Sequence, residues 1–266
     1  MDFLFSGCCR RIQKLPMASY LLLIVAAFGA GLINSVAGGG SFFTFPALVF
    51  TGVPSIIANA SSTVALVPGS LASAWAYRTD FKKSANFPFW PALAVSLAGG
   101  IAGALLLLLT PQKTFDSLIP WLLLAATLLF IFGPRVSIAL RRIFHIGPVT
   151  VICVQFLIAI YGGYFGGAIG ILMLAVWSAF GLTDIHVMNA NKTLLGAAMN
   201  AVAAVLFVIA GKVWWPQTLA MLVAAVAGGY IGAHGARRVP PPYVRAFIIL
   251  VSVSITIVFF LRSWKR

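Results

Sequence analysis

Residues 35–46 read SVAGGGSFFTFP, three consecutive glycines set inside a run that carries no charge from Leu15 to Tyr77. Glycine is among the poorest helix formers, so its place in so apolar a segment is the first thing to explain. Of the 266 residues, 61% are hydrophobic and 8% charged, with a mean hydropathy of +1.04, a balance foreign to soluble domains. Charge-free stretches recur throughout: 15–77, 84–112, 117–134, 146–183, 193–211, 213–233 and 246–261. Each can hold at least one helical crossing at roughly 20 residues. These features predict an all-α polytopic, multi-pass protein of the membrane; a bacterial inner (cell) membrane is its expected location.

The net charge is +14, from 18 Lys and Arg against four acids. The basic residues cluster in short breaks between apolar runs, as at Arg10, Arg11 and Lys14, Arg141 and Arg142, Arg237 and Arg238, and the tail Arg262, Lys265 and Arg266. Such clusters anchor to lipid headgroups and signal topology. No basic stripe is interleaved with aromatics as nucleic-acid stacking would need, so membrane lipid is the expected partner and nucleic acid is not. The apolar run after the basic N-terminus continues well past a signal peptide's core, which reads as a first membrane segment. Cys8 and Cys9 are adjacent and Cys153 is remote, a set that builds no disulfide framework.

Sliding the chain against itself by 129 residues sets Gly38 on Gly167, Ser41 on Gly170, Gly52 on Gly181, and Gly99 and Gly103 on Gly228 and Gly232. With one added residue, Asn59, Ala60 and Thr63 fall on Asn189, Ala190 and Thr193. This is the signature of an internal duplication. The expected organisation is a basic N-terminal segment (1–16), a first membrane repeat (17–134), a basic linker (135–147), a second membrane repeat (148–262) and a basic tail (263–266). Five apolar segments fall in each half: 17–36, 40–52, 57–77, 88–110 and 117–134, then 148–165, 168–182, 187–210, 214–234 and 244–261. About ten membrane segments are thus expected, with short or broken helices at the glycine-rich stretches. An odd number of crossings per half brings the second in from the opposite face, the inverted-repeat plan of many secondary transporters.

Backbone that leaves helical geometry at membrane depth must be buried in protein or line a polar cavity. A pair of breaks therefore points to a central site. Gly38, Gly39, Gly40 and Ser41 in one half and Gly167 and Gly170 in the other are the candidate cradle, with the positive end of the following short helix behind each. Close helix packing through small residues is the competing explanation, and the two are compatible. A polar set accompanies the breaks: Asn59 and Ser62, then Asn189, Asn191, Lys192 and Asn200. These amide, hydroxyl and ammonium donors suit a small anionic substrate, while hydrogen bonding that glues helices together is the plainer alternative. The chain has no glutamate, and Asp2, Asp80, Asp116 and Asp184 sit at segment ends or in connections. That argues against a carboxylate proton relay in the membrane interior. No nucleophile, acid and base set or metal-ligand spacing appears, so neither enzyme activity nor a cofactor nor a metal is expected. A non-transporting assembly or structural subunit stays open beside a transporter.

The GLINSVAGGGSFFTFPAL opening, its weaker copy GGYFGGAIGILML, the NAxxT segments after each, and the closing LAGGIAGALL and VAGGYIGAHGARR together resemble the sulfite exporter TauE/SafE family of membrane permeases, also described as organosulfonate and sulfite transporters. The resemblance runs from about Gly31 to Leu261. It implies secondary transport of small sulfur-containing anions such as sulfite, sulfoacetate or other sulfonates. The chain departs from the pattern in its second copy, where Ala168 and Ile169 replace two glycines and Ala175 replaces the proline matching Pro46.

Overall fold

Long apolar runs interrupted by Gly, Pro and short basic patches leave the backbone one way to satisfy its own polar groups in lipid, the helix. The computed structural model describes residues 16–36, 38–79, 81, 87–143, 147–182, 184–235 and 241–264. Among them are α1 (Met17–Val36), α2 (Ser41–Phe50), α3 (Ser55–Ala76), α4 (Phe89–Leu109), α5 (Gln112–Ile143), α6 (Pro148–Tyr164), α7 (Ile169–Phe180), α8 (Ile185–Ile209), α9 (Trp215–Gly235) and α10 (Pro241–Trp264). A helix stands at each of the ten apolar segments. α5 also runs through Ile143, so most of the basic stretch after Pro134 continues that helix. Asp80, the basic N-terminus and the end of the tail lie outside the described residues.

Among the described residues, six helices, α1, α3, α4, α5, α8 and α9, are long and apolar enough to cross a membrane. α2 and α7 have 10 and 12 residues, about 15 and 18 Å at 1.5 Å per residue, roughly half of a ~30 Å hydrocarbon core. Both stop at a left-handed glycine, Gly52 with φ +90° and Gly181 with φ +110°, a conformation that glycine adopts without a Cβ penalty. The outer surface is apolar: Leu109, Ile209, Val223 and Leu157 are more than 60% exposed, a face that lipid covers and water would not. Trp75, Trp90 and Trp215 stand exposed at the ends of α3, α4 and α9, where aromatic belts meet the headgroups. The protein is an integral, multi-pass membrane protein.

The closest helix pairs join early to late helices. α1 and α3 pack on α9, and α4 packs on α6 and α8, with α3 against α8 at the centre and α5 against α10. Small residues make this approach feasible. A Cβ at Gly103 of α4 would fall 2.7 Å from the Tyr164 amide of α6, and one at Gly232 of α9 would fall 2.7 Å from Leu32 Cα of α1. Hydrogen bonds reinforce the seams: Ser73 Oγ donates to the Gly229 carbonyl at 2.9 Å, and the Trp214 amide to Ser61 Oγ at 2.9 Å. Ser55, Gln112 and Asp116 form a polar knot where α3 and α5 begin.

Candidate functional site

The break between α1 and α2 passes through Gly38 (φ +76°) and Gly39 (φ +113°), and that between α6 and α7 through Gly166 (φ +77°) and Ala168 (φ +60°). Left-handed backbone at both places ends one helix and starts the next at a new angle. The second break does this with an alanine at the position matching Gly39, at a cost in strain. The two breaks touch. A Cβ at Gly38 would lie 2.7 Å from Gly170 Cα, and Ser41 Oγ makes a long contact of 3.5 Å with the Gly166 carbonyl.

Between the breaks lies a cavity of about 30 Å³, space for two or three water-sized groups at about 10–15 Å³ each. Asn34 of α1, Gly38, and Ser41 at the start of α2 form one wall. Gly166 and the first residues of α7, Ile169 and Gly170, with Met173 one turn on, form the facing wall. α3 contributes Thr63, Leu66 and Ser70; α8 contributes Lys192, Thr193, Gly196 and Asn200. The N-termini of both short helices therefore meet at the cavity. The amides of Ser41, Ile169 and Gly170 find no acceptor among the described residues.

Lys192 lies seven residues into α8, about 10 Å along its axis. It is 3% exposed, its Nζ donates to Asn189 Oδ1 at 2.9 Å, and it lines the cavity. The side chain thus turns inward instead of snorkelling toward a headgroup. Asn200 also faces the cavity, with its buried Oδ1 unpartnered among the described residues. Among the described residues, no carboxylate belongs to the lining.

Of the residues singled out from the sequence, Gly38, Ser41, Gly170, Lys192 and Asn200 come together in the lining. Gly39, Gly40, Asn59, Ser62, Gly167, Asn189 and Asn191 stand behind it. Gly39 donates its amide to Asn34 Oδ1 at 3.3 Å, and Gly40 lies against α1, where a Cβ would meet the Ala30 carbonyl at 2.6 Å. Asn59 Nδ2 holds the Tyr164 carbonyl at 2.9 Å at the end of α6, and Ser62 shares a 2.6 Å hydrogen bond with Thr44. Gly167 leaves space for the Phe165 ring, and Asn191 Nδ2 bonds back to the Val187 carbonyl at 3.1 Å. Asn34 was not singled out, yet it ties the first break to α3. It accepts from Gly39 and donates to Ser70 Oγ at 3.0 Å. An amide four residues before the first glycine of the break was the available signal.

The family described as "Sulfite exporter TauE/SafE" matches residues 23–259, which takes in both breaks and every lining residue. The chain belongs to the TauE/SafE family. It is 28% identical to "Probable membrane transporter protein YfcA" of Escherichia coli strain K12 over 243 residues, 90% of each chain. It is 27% identical to "Probable membrane transporter protein ORF9" of Sinorhizobium sp over 251 residues, covering 92% of this chain and 94% of the relative. A "Probable membrane transporter protein" of Haemophilus influenzae is 25% identical over 237 residues, 88% and 92% of the two chains. As a TauE/SafE protein the chain is a member of a membrane transporter family, not an enzyme.

Proposed function

We propose that this chain moves small sulfur oxyanions, sulfite or organosulfonates, out of the cell across a bacterial inner membrane, by alternating access around the cavity between the two breaks. One observation carries the reading: two helix N-termini and a buried lysine converge on one cavity whose described lining residues include no carboxylate. Free amides at a helix start favour an anion, and Lys192 supplies a charge to match it. Asn34, Ser41, Thr63, Ser70 and Thr193 add neutral hydrogen-bonding groups.

Alternating access follows from two halves, residues 17–134 and 148–262, joined by the stretch 135–147 and flanked by 1–16 and 263–266. In this reading they are inverted repeats, with ten membrane segments of which α2 and α7 enter only part-way. Packing supports it: exchanging α1–α5 with α6–α10 in order turns the α1 and α9 pair into α6 and α4, and the α3 and α9 pair into α8 and α4, and all four are close pairs. For an anion leaving a cell with a negative interior, the membrane potential supplies roughly 2.3 kcal/mol per charge per 100 mV, so export needs no coupling ion.

The test is efflux from proteoliposomes loaded with sulfite, methanesulfonate or chloride. Release of the two sulfur anions that speeds up under an inside-negative potential is expected. Protein that releases none of them, with correct insertion shown by protease protection, would leave a non-transporting membrane subunit as the better reading.

A further inference from the structure

α3 and α8 pass each other in opposite directions. Ser61 near the start of α3 accepts from the Trp214 amide just after α8, and Tyr77, which follows α3, is buried with Ala190 near the start of α8. The cavity lies between these two ends. Along α3, Thr63, Ser70 and Tyr77 stand at intervals of seven residues, and along α8 so do Thr193, Asn200 and Phe207. Seven residues are close to two turns, so each trio shares one side of its helix. The first two of each trio line the cavity, and the aromatic third sits about 10 Å further along. Because the helices are antiparallel, Tyr77 lies beyond one end of the cavity and Phe207 beyond the other.

The two rings also have matching seats. At the offsets that align the halves, Tyr77 corresponds to Phe207, Ala190 to Ala60 and Ala233 to Ala104. Tyr77, Ala190 and Ala233 form one buried cluster, and Phe207, Ala60 and Ala104 all belong to another. On α3 and α9 the approaches of Gly69 to Ala225 and of Ser73 to Gly229 lead, four residues on, to Tyr77 and Ala233. On α4 and α8 the approach of Gly100 to Met199 and Val202 leads in the same way to Ala104 and Phe207. The lining itself differs between the halves, Ser41 against Gly170 and Ser70 against Asn200, whereas a ring with two alanines is present in both. We infer that Tyr77 and Phe207 are the two gates of the cavity, each closing it toward one face of the membrane. A ring packed on methyl groups shuts a path of water-sized width, and a side-chain rotation that leaves the helix in place clears it. This inference rests on the cavity being the transport site proposed above, which needs one closure at each end.

Gly196 supplies the reporter, because it lines the cavity near the middle of α8 and a Cβ there would meet nothing within 4 Å. In full-length protein with Cys8, Cys9 and Cys153 replaced, Gly196→Cys is treated with a membrane-impermeant cationic methanethiosulfonate in right-side-out and in inside-out vesicles. Cysteines placed singly at positions 78 and 212 identify the face beside each ring. Tyr77→Ala should speed reaction at position 196 about tenfold or more from the face that labels position 78, and Phe207→Ala from the face that labels position 212, each leaving the opposite face within about twofold. Should an alanine variant fail size exclusion, Tyr77→Leu or Phe207→Leu, which keeps the site apolar without the ring, takes its place with a smaller rise in the same direction. Unchanged reaction at position 196 in the folded variants, or a rise from both faces alike, would make the rings core packing and overturn the gates while leaving the transport site in place. Labelling of positions 78 and 212 from one face would overturn the two-sided site proposed above, and this inference with it.

Discussion

The hydroxyls of Thr127 on α5 and Thr256 on α10 lie 3.0 Å apart, and the two residues are 129 positions apart in the chain. That separation is the offset that sets Gly99 on Gly228, so two matching residues touch each other, both nearly buried at 3% and 5% exposure. A contact between equivalent positions lies where an axis relating two copies would pass. The breaks behave alike: at the same offset the contact of Gly38 with Gly170 maps onto Gly167 with Ser41, next to the observed approach of Ser41 to Gly166.

If the halves are inverted, matching loops lie on opposite faces of the membrane. Arg78 follows α3 and Lys212 follows α8, and both are exposed. After replacement of Cys8, Cys9 and Cys153, a cysteine at position 78 should react with a membrane-impermeant maleimide from one face of intact cells, and a cysteine at 212 only from the other. Labelling of both from the same face would end the inverted arrangement.

Ala168 is the positive-φ residue other than glycine among those described, at φ +60° and fully buried. Left-handed backbone costs an alanine about 1–2 kcal/mol, so Ala168→Gly should raise unfolding stability by about 1 kcal/mol. At the matching position, Gly39→Ala should do the opposite. Its φ is +113°, and the new Cβ would come within 3.0 Å of Phe130 Cε2, a clash plus strain worth about 2 kcal/mol or more. Equilibrium unfolding in mixed micelles, run on both variants, reads the two signs directly.

The helices were legible because their boundaries are chemical. α1 spans the apolar run between Pro16 and the glycines, and α2 ends two residues before the left-handed Gly52. Which polar residues reach the cavity was harder to read. Asn59, Ser62 and Thr63 share one side of α3 by spacing, yet only Thr63 enters the lining. Neighbouring positions are about 100° apart on a helix, and the rotation of α3 is set by contacts far along the chain, such as Gly69 against Ala225 and Ser73 against Gly229. Lys192 was readable for a different reason: a lysine two turns into a helix beside two asparagines has polar company on the inside.

Asn59 has become a structural residue by this account. Its Nδ2 satisfies the Tyr164 carbonyl just before the second break, and a buried carbonyl left without its donor costs about 1–3 kcal/mol. Asn59→Ala should lower unfolding stability by that order, while the methanesulfonate affinity of the folded fraction changes less than about threefold. An affinity loss as large as that of a lining variant such as Ser41→Ala, with stability unchanged, would move Asn59 into the binding machinery.

Lys192 offers the sharpest test of the anion reading, because Lys212 provides a matched control in the connection after the same helix. Lys192 is buried at 3% exposure and lines the cavity, whereas Lys212 is exposed. Methionine keeps the length and most of the volume of the lysine stem while removing the donor, so Lys192→Met should fold and insert as judged by size exclusion. Removing a buried charge that faces an anion typically costs about 2–5 kcal/mol of binding, or about thirtyfold and upward in affinity, so methanesulfonate binding should become too weak to measure by calorimetry. Lys212→Met should bind as the wild type does, because a solvated charge well away from the cavity is screened within about 10 Å at 0.1 M salt. Lys192→Arg separates charge from shape: it keeps the positive charge but places a wider, planar group in a cavity of about 30 Å³, and partial loss of affinity is expected. Wild-type affinity in Lys192→Met would mean that the free amides at the starts of α2 and α7, with the neutral side chains around them, hold the anion without a cation.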